Sequence, residues 1–433
     1  MSLIFDKIKI HNILKKKKIN KTKEQLLDIL DRMSINFVFF TQNCDKLKND
    51  SEINPLLWQI GHVIYFFDNL ILKNLNNCER LNVEYFDDNY DSFITPLKYR
   101  DHKRLNYKQL LFYFNNTIKI LNSYINDNSI SNIESYLIML GCLHADMHIE
   151  AFIFSKLKIS NSIQLNIKVE HTKLIEDIEF IKYLDDEFEQ GTNGDYEYLN
   201  FDNEMPSFKK SIKSFSISKY PITEYLYLQF ILDEGYKKKQ YWCDISYKWK
   251  NDNNIKLPLY WHYNDGKYYK IINKQKLPVD TNLPICHISY YEAKAYCRWK
   301  KCRLPSEAEY EYVSTNKGTT KFPWGNNSPN NKLCNINFKN NLIPVNNFTL
   351  GENNEKVSQL IGNIWEWCEE HIYPYDGFII DPVYREMSYP FFGYKKICKG
   401  GCFAVPDYLI HPKYRNAQYP DCRIQFIGFR VCV

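Results

Sequence analysis

The 433-residue chain has no cysteine pair at CxxC spacing, no internal repeat and no apolar run that reads as a membrane span. Its thirteen cysteines are scattered and odd in number, which argues against a disulfide framework or a zinc finger and for reduced thiols. The N-terminus lacks the apolar core of a secretory signal, so a cytoplasmic location is expected and no membrane partner. Excess charge of one sign is scarce as well: 56 basic and 51 acidic residues leave +5. The Lys/Asn/Ile wording of the basic N-terminus, "KIKIHNILKKKKINKTK", recurs along the chain. It therefore reads as compositional bias, and no nucleic-acid partner is expected.

What is present is apolar and aromatic. Hydrophobic residues make up 44% of the chain and aromatic residues 16%, enough for two or three cored domains. From about Thr22 to Leu184 apolar residues recur at three and four. The stretches "QLLDILDRMSINFVFF", "PLLWQIGHVIYFFDNLILKNL", "YKQLLFYFNNTIKILNSYI" and "IESYLIMLGCLHADMHIEAFIFSKL" predict four helices of an antiparallel bundle. Asn54-Pro55 suits the start of the second, with proline in the first turn. Residues 185–206 are acidic and loop-like, and predict a linker. Residues 207–433 are punctuated by Trp, Gly, Pro and Asn with little sustained periodicity. The expected fold class is α+β, with a bundle over 22–184 and a second domain over 207–433.

The fourth helical stretch carries His144 and His148, four residues apart and so on one face. Such a pair alone is more often a surface or core feature than a metal site. A third histidine, His62, lies mid-helix in "NPLLWQIGHVIYFFDNL", with Trp58 one turn before and Tyr65 nearly one turn after. One imidazole from one bundle helix and two from another can form a three-nitrogen facial site with positions left open. Iron, zinc and copper all suit such a donor set. Glu150, two residues past His148, is rotated off that face, which suits packing or support of the ligands rather than coordination.

The H…HxxxHxE pattern is followed by an ordered set of words in the second half: "ISYYEAKAYCRWKKCRLPSEAEYEY", "FPWGN", "GNIWEWC", "KGGCFA", "YRN" and "GFRVC". Together they resemble the ergothioneine-type sulfoxide synthases, which join a DinB-like four-helix bundle to a formylglycine-generating-enzyme-like domain of C-type-lectin-like α+β fold. Physically, most of these residues read as scaffold. Ser306 and Glu309 predict a capping box, and Trp324, Trp365 and Trp367 predict core positions. Glycines in "GNIWEW" and "KGGCF" permit backbone forms closed to other residues beside large rings.

The resemblance implies a non-haem Fe(II) enzyme that uses O2 to join a thiol or selenosugar donor to C2 of the hercynine imidazole, with His62, His144 and His148 as metal ligands. It also implies Tyr384, which opens "YREMSYPFFG", as proton donor, and Met387 in place of the motif's second tyrosine. In "RNAQYPDCR" Asn416 and Arg423 are kept, whereas Gln418 stands for an acid and Cys422 for an arginine of the family's substrate-holding set. Those departures point toward the selenoneine synthase branch. Arg100 and Arg104 are further candidates to hold an anionic donor, although a solvated basic loop is the plainer reading of their segment. Two alternatives remain at this stage. One is a lectin-like binding protein without catalysis. The other is a copper-dependent formylglycine-generating oxidase, for which Cys402 and Cys422 are not close in sequence.

Overall fold

The computed structural model describes residues 19, 21–81, 86, 89–101, 105–162, 173–194, 199–338 and 341–433. Arg104 lies outside the described residues. The chain forms two compact units. The first contains the chain up to Ser160 together with two later segments, Gly194–Asn200 and Ile380–Met387.

In the first unit, α1 spans Lys23–Thr41, α2 Leu56–Tyr65, α3 Tyr107–Asp127 and α4 Asn132–Ser160. Capping boxes open α1 (Thr22 with Gln25) and α3 (Asn106 with Gln109), each pairing a side chain with an N-terminal amide that has no helical partner. Buried Leu26, Leu30, Met33 and Phe37 of α1 recur at helical spacing. Phe37 stacks on Phe114 of α3 at 4.2 Å and meets the edge of Phe152 of α4 at 5.8 Å.

The second helix departs from expectation. It starts at Leu56, with Pro55 in the N-cap position, and ends at Tyr65. A π-helical turn over Phe66–Ile71 and a 3-10 turn over Leu72–Asn74 then carry the rest of the apolar stretch. The wider turn keeps Phe66, Phe67 and Ile71 all buried. Phe67 packs so close to α4 that a Cβ on Gly141 would lie 2.4 Å from its ring, which explains a glycine inside that helix.

Helix α4 corrects the sequence reading on membrane spans. By length and composition it could cross a membrane, but 78% of its most apolar window is buried inside the protein, as for a core helix.

The second unit comprises Asn161–Asn193, Phe201–Ile379 and Ser388–Val433. This division differs from the one read from sequence, because the span 161–184 and the linker 185–206 both contribute strands to the second unit. Strand β1 (Phe180–Tyr183) pairs antiparallel with β4 (Phe215–Ser218), and β2 (Asp186–Gln190) with β3 (Phe208–Ile212). A three-stranded sheet follows: β5 (Trp261–Asn264), β6 (Lys267–Ile272) and β7 (Gln275–Pro278). The last sheet has the order β10-β9-β8-β11, from Asn416–Gln418, Lys396–Lys399, Trp365–His371 and Ile427–Gly428. Helices α5 (Glu224–Leu232), α6 (Asp244–Asp252), α7 (Tyr290–Lys300) and α8 (Glu307–Ser314) complete the regular elements among the described residues.

The expected capping box opens α8, where Ser306 accepts the Glu309 amide and Glu309 returns the contact. Trp365 and Trp367 are fully buried. Trp324 is not core: it is half-buried, stacked on Phe322 at 5.3 Å. The "GFR" and "WEW" words meet as a buried ion pair. Arg430 Nε and Nη2 each donate to Glu366 at 2.8 Å, and Tyr310 donates to the same carboxylate at 3.0 Å. Gly362 (φ +82°) is required next to them, because a Cβ there would lie 2.6 Å from the Asn335 carbonyl oxygen.

Candidate metal centre

His62 on α2 and His144 and His148 on α4 converge inside the first unit. One ring nitrogen of each lies within 4.8 Å of the others. Ring centroids are 5.1 Å apart for His62–His144, 5.2 Å for His62–His148 and 4.8 Å for His144–His148. The four-residue spacing on α4 places two rings on one face, and α2 presents the third across the helix packing.

The surroundings fix each ring. His62 Nδ1 donates to the Tyr90 carbonyl at 2.7 Å, so its neutral tautomer leaves Nε2 with the lone pair. Its face stacks on Trp58 at 5.0 Å, and the Arg100 guanidinium lies over that indole at 4.1 Å. His148 Nδ1 donates to Gln59 Oε1 at 3.3 Å. His144 stacks face to face with Phe66 at 3.7 Å.

Burial is the largest cause of a lowered pKa at all three, bringing His62 to about 4 and the other two well below the ordinary histidine range. At neutral pH the cluster therefore offers three uncharged imidazoles, the form that binds metal.

Among the described residues the buried His144 Nδ1 has no hydrogen-bond partner, a situation native structures avoid unless another group satisfies the atom. A divalent first-row cation fits this set: converging neutral nitrogens, two rings oriented by outer hydrogen bonds, and an unsatisfied third.

Tyr384 arrives from the segment Ile380–Met387, which packs as part of the same unit. Its ring stands perpendicular to those of His144 and Phe66, with centroids 5.5 Å and 5.0 Å away. The segment is tied down by Asp381, whose Oδ1 accepts the amides of Val383 (2.9 Å) and Tyr384 (3.2 Å). The other oxygen, Oδ2, accepts the hydroxyl of Tyr136 on α4. Ser92 donates to Glu386 at 2.9 Å, and burial raises the pKa of Glu386 to about 7. Met387 is half-buried on the same segment. Glu150 is buried on α4.

The remaining sequence candidates are placed differently. Three donor atoms of Arg100 serve the protein itself, binding the Thr95 carbonyl (2.9 Å), Asn54 Oδ1 (2.6 Å) and the Ser92 carbonyl (3.0 Å). Asn416 and Gln418 lie half-buried on β10 in the second unit, and Asn416 Oδ1 accepts the Ala417 amide at 2.8 Å. Arg423, also in that unit, is paired with the buried Glu292 at 2.9 Å and donates to the Leu257 carbonyl.

Sequence reasoning missed Gln59, Tyr90, Tyr136 and Asp381. Gln59 and Tyr136 had a detectable signal, since each is a polar group in an apolar helix at helical spacing from a histidine. The contribution of Tyr90 is a main-chain carbonyl and has no side-chain signature.

Residues 185–433 match the Sulfatase-modifying factor enzyme 1-like domain. The chain is 29% identical over 250 residues to a hercynine oxygenase of Mycobacterium tuberculosis, covering 56% of this chain and 58% of that protein. To the hercynine oxygenase of Mycolicibacterium thermoresistibile it is 30% identical over 240 residues, covering 53% of each. To the formylglycine-generating enzyme of M. tuberculosis it is 30% identical over 172 residues, covering 35% of this chain and 56% of that enzyme. The chain thus spans a little over half the length of these relatives. The match over its second half is in keeping with the resemblance read from the motifs. With more than half of its residues inside the domain match, the protein belongs to the Sulfatase-modifying factor enzyme 1-like domain family.

Proposed function

We propose that the protein is a cytoplasmic, iron(II)-dependent oxygenase that acts on hercynine, joining a sulfur or selenium donor to C2 of its imidazole with O2 as oxidant. The observation that carries this reading is the packing of Tyr384 against His144 in the same unit as the three-histidine cluster. A pure binding protein has no need of three buried neutral imidazoles with a tyrosine at their edge. The similarity to hercynine oxygenases supplies the substrate class.

His62, His144 and His148 would hold the iron. When bound, iron supplies the redox chemistry that a carbon–chalcogen bond on an unactivated ring requires and that zinc lacks. A tyrosine hydroxyl is a proton donor near neutral pH, and Tyr384 would serve as that donor beside the cluster. The carboxyl–amide contacts of Asp381 hold the Tyr384 backbone so that the ring stands at the cluster. Phe66 and Trp58 shield the histidines from water on the faces they cover.

On the strength of the family motifs, Asn416, Gln418 and Met387 are proposed as substrate-binding residues. Arg100 and Arg423 would each support their own unit, because both guanidinium groups already bind protein acceptors. Gln418 and Cys422 cannot supply the acid and the arginine with which relatives hold γ-glutamylcysteine. Losing one charge-assisted contact costs about 1.5–3 kcal/mol, or roughly ten- to hundredfold in use of that donor. A neutral selenosugar loses nothing of this kind, so it is the proposed donor.

The test supplies iron-loaded protein with hercynine, O2 and both donors at equal concentration, and identifies products by mass. A selenium adduct should dominate, and Tyr384→Phe should keep iron while losing most product or diverting O2 to donor oxidation. A dominant γ-glutamylcysteine adduct would overturn the donor assignment. Absence of any hercynine product with every donor would overturn the whole reading.

A further inference from the structure

We propose that Tyr136 and Asp381 form a latch that positions Tyr384 beside the histidine cluster, making both of them positioning residues of the site. The inference rests on the functional reading above for its catalytic consequence, but its structural part stands alone.

Tyr136, Leu140, His144 and His148 follow one another at four-residue spacing on α4, so they form a single stripe. The lower end of the stripe holds the cluster. The upper end, eight residues or about 12 Å away along the helix, holds Tyr136. Its side chain is buried at the head of the apolar run 137–143, where phenylalanine would pack as well. A hydroxyl in such a place needs a partner, and it has one in Asp381 Oδ2, 245 residues further along the chain.

Asp381 is itself buried, and a buried carboxylate is tolerated only when hydrogen-bonded. Its two oxygens divide the work. Oδ2 takes the Tyr136 hydroxyl from the helix, and Oδ1 takes the amides of Val383 and Tyr384 in a turn of the Asx type. The carboxylate therefore ties the backbone of Tyr384 to the same helix that carries two of the three histidines. From that anchored backbone the Tyr384 ring stands perpendicular to the rings of Phe66 and His144. Phe66 in turn lies flat on His144, so ring, spacer and imidazole are held in one register. A displacement of about 1 Å at a catalytic group can lower a rate a hundredfold, so the tie at Asp381 has leverage on chemistry that it never touches.

The experiment has two arms on the full-length protein. In the first, hydrogen exchange is followed at the Val383 and Tyr384 amides. Tyr136→Phe should speed both by at least tenfold, Asp381→Ala more, while Asp381→Asn, whose amide keeps an oxygen for the turn and a polar group for Tyr136, should restore most protection. Unchanged exchange in Tyr136→Phe would overturn the latch whatever the chemistry proves to be.

In the second arm, iron content, KM for hercynine, kcat and the split between coupled product and oxidised donor are measured. Tyr136→Phe should lower kcat tenfold or more and shift the split in the direction of Tyr384→Phe, with iron content and KM kept. In a Tyr384→Phe background the same change should add less than twofold. Full additivity of the two changes would overturn the claim that Tyr136 acts through Tyr384. A silent Tyr384→Phe would instead count against the functional reading and leave the exchange result to judge the latch.

Discussion

Gly61 precedes His62 on α2, and its replacement by alanine tests how the cluster is held. A Cβ built at this position lies 2.1 Å from Tyr90 Cε1 and 2.4 Å from Cδ1 and Cζ. Carbon atoms at rest sit about 3.5–4.0 Å apart, so the Tyr90 ring would have to retreat by roughly 1.5 Å. The ring is not free to do so. The Tyr90 hydroxyl accepts the Leu105 amide at 2.9 Å, and the Tyr90 carbonyl accepts His62 Nδ1 at 2.7 Å. Alanine in a helix interior gains up to about 1 kcal/mol over glycine. Overpacking of this kind costs about 1–3 kcal/mol, and loss of an orienting partner to a ligand histidine typically weakens metal binding by about 10–100-fold. The expected outcome for Gly61→Ala is a net loss of about 1–2 kcal/mol in unfolding free energy, with metal affinity down by one to two decades. Thermal unfolding and anaerobic titration with Fe(II) measure the two quantities. A variant as stable as the parent, or more so, with unchanged affinity would show that Tyr90 does not orient His62.

Two further outcomes are expected. Because burial keeps all three imidazoles neutral, metal binding at pH 7 should release almost no protons from the histidines, and calorimetric heats should be the same in buffers of different ionisation enthalpy. Release of a full proton would show that at least one ligand is charged before binding. In the second unit, Glu366→Ala should lower stability by about 3–5 kcal/mol in denaturant unfolding, because it strands Arg430 fully buried without its ion-pair partner. A loss below about 1 kcal/mol would mean that the guanidinium is satisfied by the Ser218, Ser358 and Gln359 carbonyls.

The long helices were legible because α1 and α3 keep one apolar face from end to end, and α4 is a long apolar run buried nearly all round in its first half. The second was read as too long, since the π-helical and 3-10 turns after Tyr65 bury the same kinds of residue that a continuing helix would. In the second unit, left-handed backbone is taken up by Asn254, Tyr260, His287, Lys317, Phe338 and Asn363 as well as by glycine. Sequence punctuation by Gly and Pro therefore marks only some of the turns, and short strands between them escape a periodicity reading. At the candidate site, the imidazoles were visible as residue types on two helices. What orients His62 and Tyr384 was not, because it is a main-chain carbonyl at Tyr90 for the one and a carboxylate far from the histidines in sequence, Asp381, for the other.

That distance has a consequence for synthesis on the ribosome. The helices carrying the histidines emerge early, but the strip of chain that completes their unit, including Asp381 and Tyr384, is translated some 245 residues after Tyr136. At about 5–20 residues per second, the nascent bundle waits roughly 12–50 s with the hydroxyl of Tyr136 and the flank of Phe66 uncovered. For that interval it is a histidine-bearing helical fragment without its tyrosine. A chain severed between the two units would stay in that state unless the missing strip were supplied as a separate peptide.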